Sequence, residues 1–233
     1  MLFTSESVSA GHPDKMADII SDSILDAYLT QDPNARVACE TLLSAKGITL
    51  AGGVTSTATV DHEEVARKVI RNIEPEYEAQ AIYADHIIGQ SPNIAAGVDT
   101  GGAGDQGMMF GYATNETGAL MPLPITVAND IIRALDVVRL QEPRLLADAK
   151  SQVTINNRGE ITDVVVSTRH TVDISLDEVR RLVGDMLDDV LGVYRKNIIR
   201  DVNYFINPAG KFVLGGPLAD AGDRKSTRLN SSH

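Results

Sequence analysis

PDKMADIISDSILDAYLT at residues 13–30, with RVACETLL at 36–43 and ITLAGGVTST at 48–57, is the stretch from which the fold is read. Pro13 suits the first position of a helix, and Ile19, Ile20, Ile24, Leu25, Tyr28 and Leu29 follow at helical spacing. The two apolar runs after it read as strands joined through Lys46-Gly47. A second helix is predicted after Asp61, through Val65, Val69, Ile70 and Ile73. The same order returns downstream. A helix is predicted over 126–140, then strands at 152–156 and 161–168 around an Asn157-Arg158-Gly159 turn, then a helix over 177–191. Helix–hairpin–helix twice predicts an α+β protein of two related domains formed by duplication. A third hairpin, 204–206 with 212–214, is predicted to turn through Asn207-Pro208-Ala209-Gly210 and lead into a further unit. Residues 90–104 lack periodicity and read as a linker, or as a mobile loop over a site.

With 233 residues, 43% of them hydrophobic, the chain is long enough for two domains with real cores. Its net charge of −11 argues against a nucleic-acid partner, whose phosphates need a basic patch. ATP remains compatible, because metal ions and a few local cations can carry it. The single cysteine, Cys39, excludes an internal disulfide, and a cytoplasmic location is the simplest expectation. No secretory, lipidation or membrane-spanning segment is evident.

GGAGDQGMMFGYATNET at 101–117 is the stretch richest in chemistry. Gly101, Gly102, Gly104 and Gly107 let the backbone pass close to a ligand, and Asp105 among them could hold a metal or a cationic group. A tight turn is the plain alternative, since the Walker A and dinucleotide-binding spacings are absent. His12-Pro13-Asp14 opens the first helix, where the dipole favours phosphates and a hard carboxylate suits Mg²⁺. Asp18, Asp22 and Asp26 continue that face and read as solvated. Glu40, in the apolar run 36–41, predicts a cationic partner or an edge position facing water. Lys150 is predicted at the start of the second hairpin. The five histidines show no metal-ligand spacing, and no Ser/His/Asp or Cys/His nucleophile system is apparent.

Four blocks in order, GHPDK at 11–15, GAGDQGMMFGYATNET at 103–117, DAKSQV at 148–153 and FINPAGKFVLGGPLADAG at 205–222, resemble the signatures of the S-adenosylmethionine synthetases. The resemblance covers residues 1–222 and implies two of that fold's three pseudo-threefold-related domains: 1–92, a mobile loop or linker at 93–102, and 103–222. It implies formation of S-adenosylmethionine from ATP and L-methionine, with release of phosphate and diphosphate, in a homodimer or homotetramer. It implies His12 and Lys150 as catalytic, and His12, Asp148, Lys150, Lys211, Phe212 and Asp220 at ATP. Gln90, Asp105 and Asp220 are implied at methionine, Asp14 at Mg²⁺ (about two ions per site, bridging phosphates) and Glu40 at K⁺. A non-catalytic nucleotide-binding subunit and a phosphotransferase using the glycine loop are the competing readings.

Two departures stand out. Val54 follows Gly52-Gly53 where the family has an acid for the methionine ammonium, and Asp105 is the candidate substitute. The basic, Ser-rich stretch 223–233, DRKSTRLNSSH, reads back as codons into a sequencing-adapter sequence. It is expected to be a non-native tail, with no role for Arg224 or Lys225; a stop codon directly after His233 in intact genomic DNA would overturn this. The family's later glycine-rich loop and third domain are not in the chain, so the chain by itself is expected to be inactive.

Overall fold

The computed structural model describes residues 1–75, 77, 81–89 and 108–228. The elements are β1 (Phe3–Val8), α1 (Pro13–Gln31), β2 (Arg36–Ser44), β3 (Gly47–Thr55), α2 (His62–Ile73), β4 (Ile82–Gly89), α3 (Leu123–Gln141), β5 (Leu145–Ile155), β6 (Ile161–His170), α4 (Leu176–Val193), β7 (Ile198–Ile206) and β8 (Gly222–Arg228). They fall into two compact units, residues 1–12 with 111–215, and residues 13–110 with 216–233. Each unit therefore takes one edge strand from the other half of the sequence, where the sequence reading draws contiguous domains.

The second unit is built on the sheet β4-β3-β2-β8. β2 and β3 form the expected hairpin, β4 runs parallel to β3, and β8 is antiparallel to β2. Met16, Ile20 and Ile24 of α1 meet Val37, Cys39, Ile48 and Leu50 in a core with no exposure. Asp22 and Asp26 lie on the solvated face of α1. Asp61 caps α2 by accepting the Glu64 amide at 3.0 Å.

The first unit is built on the sheet β1-β5-β6-β7. β5 and β6 form the second hairpin, β7 is parallel to β6, and β1 is antiparallel to β5. Val127, Ile131 and Leu135 of α3 and Val183 and Leu187 of α4 pack on Val153, Val164 and Val166. α3 begins three residues earlier than the periodicity indicates, because Pro122 and Pro124 are tolerated at a helix start. There Glu116 accepts the Leu123 amide at 2.9 Å, so the polar TNET segment serves as a cap.

Two expectations are corrected. β5 begins at Leu145 and not at residue 152, so Asp148 and Lys150 lie inside a strand. Charged residues are depleted in strands, which hid its first half. The third hairpin does not form. β7 pairs with β6, and Phe212–Leu214 makes no strand; it is held to the end of β6 by individual bonds.

Candidate functional site

In the first unit the chain leaving β1 is fastened to β5. Ser9 donates its amide to the Ala149 carbonyl at 2.9 Å, and its hydroxyl accepts the Ala149 amide at 2.7 Å. Gly11 donates to the Ala147 carbonyl at 3.2 Å. A Cβ on Gly11 would lie 2.4–2.6 Å from Ala147 atoms, two of them backbone, so only glycine permits this approach. His12 is thereby delivered beside the start of the Asp148–Lys150 stretch, its amide bonded to the Ser9 carbonyl at 3.0 Å.

Asp148 is buried, and its Oδ2 lies 2.9 Å from the point where a Gly215 Cβ would stand. The Phe212 ring and Arg169 Cδ lie 2.8 Å from the same point. The structure thus brings Asp148 and Phe212 together, with Arg169 as a neighbour the sequence reading missed. Lys150 is half-exposed and its Nζ rests 2.8 Å from Glu6 Oε1. An exposed pair of this kind contributes at most about 1 kcal/mol, so the ammonium can leave Glu6 for a phosphate. Lys211 is exposed.

In the second unit, Asp14 opens α1. A Cβ on Gly222 would lie 2.2–2.5 Å from backbone atoms of Pro13 and Asp14, so this glycine lets β8 pass against the helix start. Asp14 Oδ1 stands 3.4 Å from the Asp223 amide and 3.7 Å from Arg224 Nη1. Asp220 is exposed, and its Oδ1 accepts the Ala221 amide at 2.8 Å. Glu40 does meet a cation, but an ammonium: Lys225 Nζ lies 2.9 Å from its Oε1. K⁺ at this carboxylate would have to displace it.

The stretch from Gly222 to Arg228 is an edge strand, and two of its cations, Arg224 and Lys225, reach the two carboxylates implied at metals. Edge pairing is made by main-chain groups and tolerates almost any side chain, which is why composition did not reveal it. Val54 packs against the apolar core and pairs with Val37 and Gly89, offering no group for an ammonium. Gln90 and Asp105 lie outside the described residues. Among the described residues no three His, Cys, Asp or Glu side chains converge as a metal cage. Mg²⁺ shared between one carboxylate and substrate phosphates needs none, so Asp14 fits such an ion. Among the described residues no helix is long and apolar enough to cross a membrane.

Comparison with known proteins was decisive. Residues 1–92 match the family model described as S-adenosylmethionine synthetase, N-terminal domain, and residues 100–212 match the central domain. The chain belongs to the S-adenosylmethionine synthetase family. It is 46% identical to the S-adenosylmethionine synthase of Sulfurovum sp. (strain NBC37-1), over 95% of this chain and 61% of that protein. It is 42% identical to the S-adenosylmethionine synthase of Mesoplasma florum, over 95% of this chain and 63% of that protein. The chain thus spans less than two thirds of the length of these relatives.

Proposed function

We propose that the chain, completed to the length of its relatives, forms S-adenosylmethionine from ATP and L-methionine and releases phosphate and diphosphate. The observation that carries this reading is the gathering of Gly11-His12, Asp148 and Phe212 at the start of β5, in a chain of this family. The methionine sulfur forms a bond to C5′ of ATP as the C5′–O5′ bond breaks, and the electron pair leaves with the triphosphate. The sulfur becomes a sulfonium, so no proton is transferred in this step. The triphosphate is then hydrolysed.

The protein's task is alignment and charge stabilisation. Asp148, Lys211, Phe212 and Asp220 would hold the nucleotide, and His12 and Lys150 would donate to the triphosphate as its charge grows. Asp14 would hold Mg²⁺, which neutralises phosphate charge when bound. Gln90, Asp105 and Asp220 would face methionine. K⁺ at Glu40 is what the family pattern implies, and no step is routed through it. A homo-oligomer, a third related domain, origin by duplication and a cytoplasmic location belong to the same proposal.

A second reading applies to the 233-residue chain by itself: a nucleotide binder without turnover, favoured by Lys225 already seated on Glu40. Adenosylmethionine measured by chromatography, with ATP, methionine, Mg²⁺ and K⁺, separates the two. Product from the completed protein supports the first reading. Transfer of the γ-phosphate alone would replace it with a phosphotransferase.

A further inference from the structure

The last three residues of β6, Thr168, Arg169 and His170, are buried polar groups. Together they hold the segment that follows β7. Asn207 donates its amide to the Val166 carbonyl at 2.9 Å. Its side chain accepts the Thr168 amide at 2.8 Å and donates to the Thr168 carbonyl at 3.0 Å, extending the ladder by one step. The His170 amide donates to the Phe212 carbonyl at 2.9 Å. The Phe212 amide in turn lies 3.1 Å from His170 Nε2.

The partners of His170 assign its tautomer. Nδ1 lies 2.8 Å from the Thr171 carbonyl, which can only accept, so Nδ1 carries hydrogen. The Phe212 amide can only donate, so Nε2 presents a lone pair. A doubly protonated ring would point a hydrogen at that amide. Arg169 completes the grip, its Nε donating to the Val213 carbonyl at 2.9 Å. Its aliphatic stem stands beside the Phe212 ring and the Asp148 carboxylate at Gly215.

We infer that Arg169 and His170 are positioning residues of the nucleotide site: they fasten the backbone of Phe212-Val213 so that the Phe212 ring stands next to Asp148. The inference rests on the reading of Asp148 and Phe212 as nucleotide contacts. The Lys150 ammonium bonds to Glu6 on β1, so the inference places the grip on triphosphate apart from this segment.

The test uses the full 233-residue chain and the variants His170→Phe, His170→Gln and Arg169→Lys. Amide hydrogen exchange is followed at Phe212 and, as a control for folding, at Ala149. Affinities are measured for Mg²⁺-ATP and for Mg²⁺-tripolyphosphate. His170→Phe keeps bulk but removes the acceptor, and one lost hydrogen bond corresponds to about a tenfold change. Phe212 exchange should rise about tenfold while Ala149 stays protected, and ATP affinity should fall about tenfold with tripolyphosphate affinity unchanged. His170→Gln, which keeps an acceptor, should recover part of both losses. Arg169→Lys should weaken ATP alone. Unchanged Phe212 exchange in His170→Phe overturns the inference itself, as does equal loss of both ligands. Faster exchange with unaltered ATP affinity overturns the nucleotide reading and the inference with it. Should Ala149 lose protection in His170→Phe, the Gln and Lys variants decide by the same criteria.

Discussion

Cys39 and Glu40 are neighbours on β2 with opposite surroundings, one buried and one exposed. Cys39 is fully buried, and removal from water pushes its thiol up to about 11. The thiolate is the reactive form, so alkylation of native protein at pH 8 should be negligible and should become complete in urea. Mass spectrometry after iodoacetamide treatment reads this directly; rapid labelling of folded protein would contradict it. Gly11 is constrained by space: an added Cβ meets the backbone of Ala147, which a strand cannot readily move. Gly11→Ala should lower unfolding free energy by about 1–3 kcal/mol, measured in urea, because overpacking forces a backbone shift. Asp14 and Lys150 differ, since neither supplies apolar packing. In a protein completed to the length of its relatives, Asp14→Asn and Lys150→Ala should each cut kcat by about 10²-fold or more. Their unfolding free energies, measured in urea, should stay within about 0.5 kcal/mol of the parent. Near-normal turnover at saturating substrates would cancel the role assigned to that residue.

Where elements meet, the Arg144 guanidinium links the end of α3 to the start of α4. Glu142, which ends α3, bonds through Oε1 to Arg144 Nε at 2.7 Å, and Arg144 Nη2 reaches Glu178 in the first turn of α4 at 2.8 Å. The Arg144 hydrogen bond holds Glu142 at about 2, well below its ordinary 4.5. A carboxylate with a lowered folded value adds stability that is fully present above about pH 4.5 and disappears as pH falls toward 2. The gap in urea midpoint between the parent and Glu142→Gln should therefore be constant near neutrality and close between pH 4.5 and 2. A gap independent of pH would show that the pair contributes nothing through charge. Elements with strong internal signals were legible in sequence: α1, α2 and α4 by apolar spacing, the β2–β3 and β5–β6 hairpins by their turns. The edge strands β1 and β8 were not, because β1 is largely exposed and β8 is basic, and pairing there is carried by backbone groups without a side-chain pattern. The 207–213 segment misled for a related reason. Its turn residues are real, but its bonds run to the end of β6, at Arg169 and His170, instead of back to residues 204–206. Asp148 and Phe212 were singled out by the resemblance, whereas the bonds from Arg169 and His170 to the segment around Phe212 carry no sequence signal.

At the scale of the whole chain, what the described surface exposes bears on what these 233 residues can do. Met109 is 95% exposed, Phe110 88% and Tyr112 75%, in the continuation of the glycine-rich stretch. A consecutive apolar run facing water marks a surface that another chain or domain covers, or else a site of aggregation. This chain leaves more than a third of the length of its relatives unmatched. Of the cations proposed at the nucleotide, Lys150 rests on Glu6 and Lys211 is exposed. Loss of one preorganised donor can cost about 10²–10³ in rate, and a leaving triphosphate needs several. The 233-residue polypeptide, purified from a host lacking its own synthetase, should therefore bind Mg²⁺-ATP yet form no adenosylmethionine, and should self-associate with rising concentration. Replacing Met109 and Phe110 by Ser should suppress that association without restoring product, as followed by light scattering and chromatography. Steady product formation that depends on both ATP and methionine would mean that these 233 residues already hold a sufficient set of triphosphate donors, and would overturn this expectation.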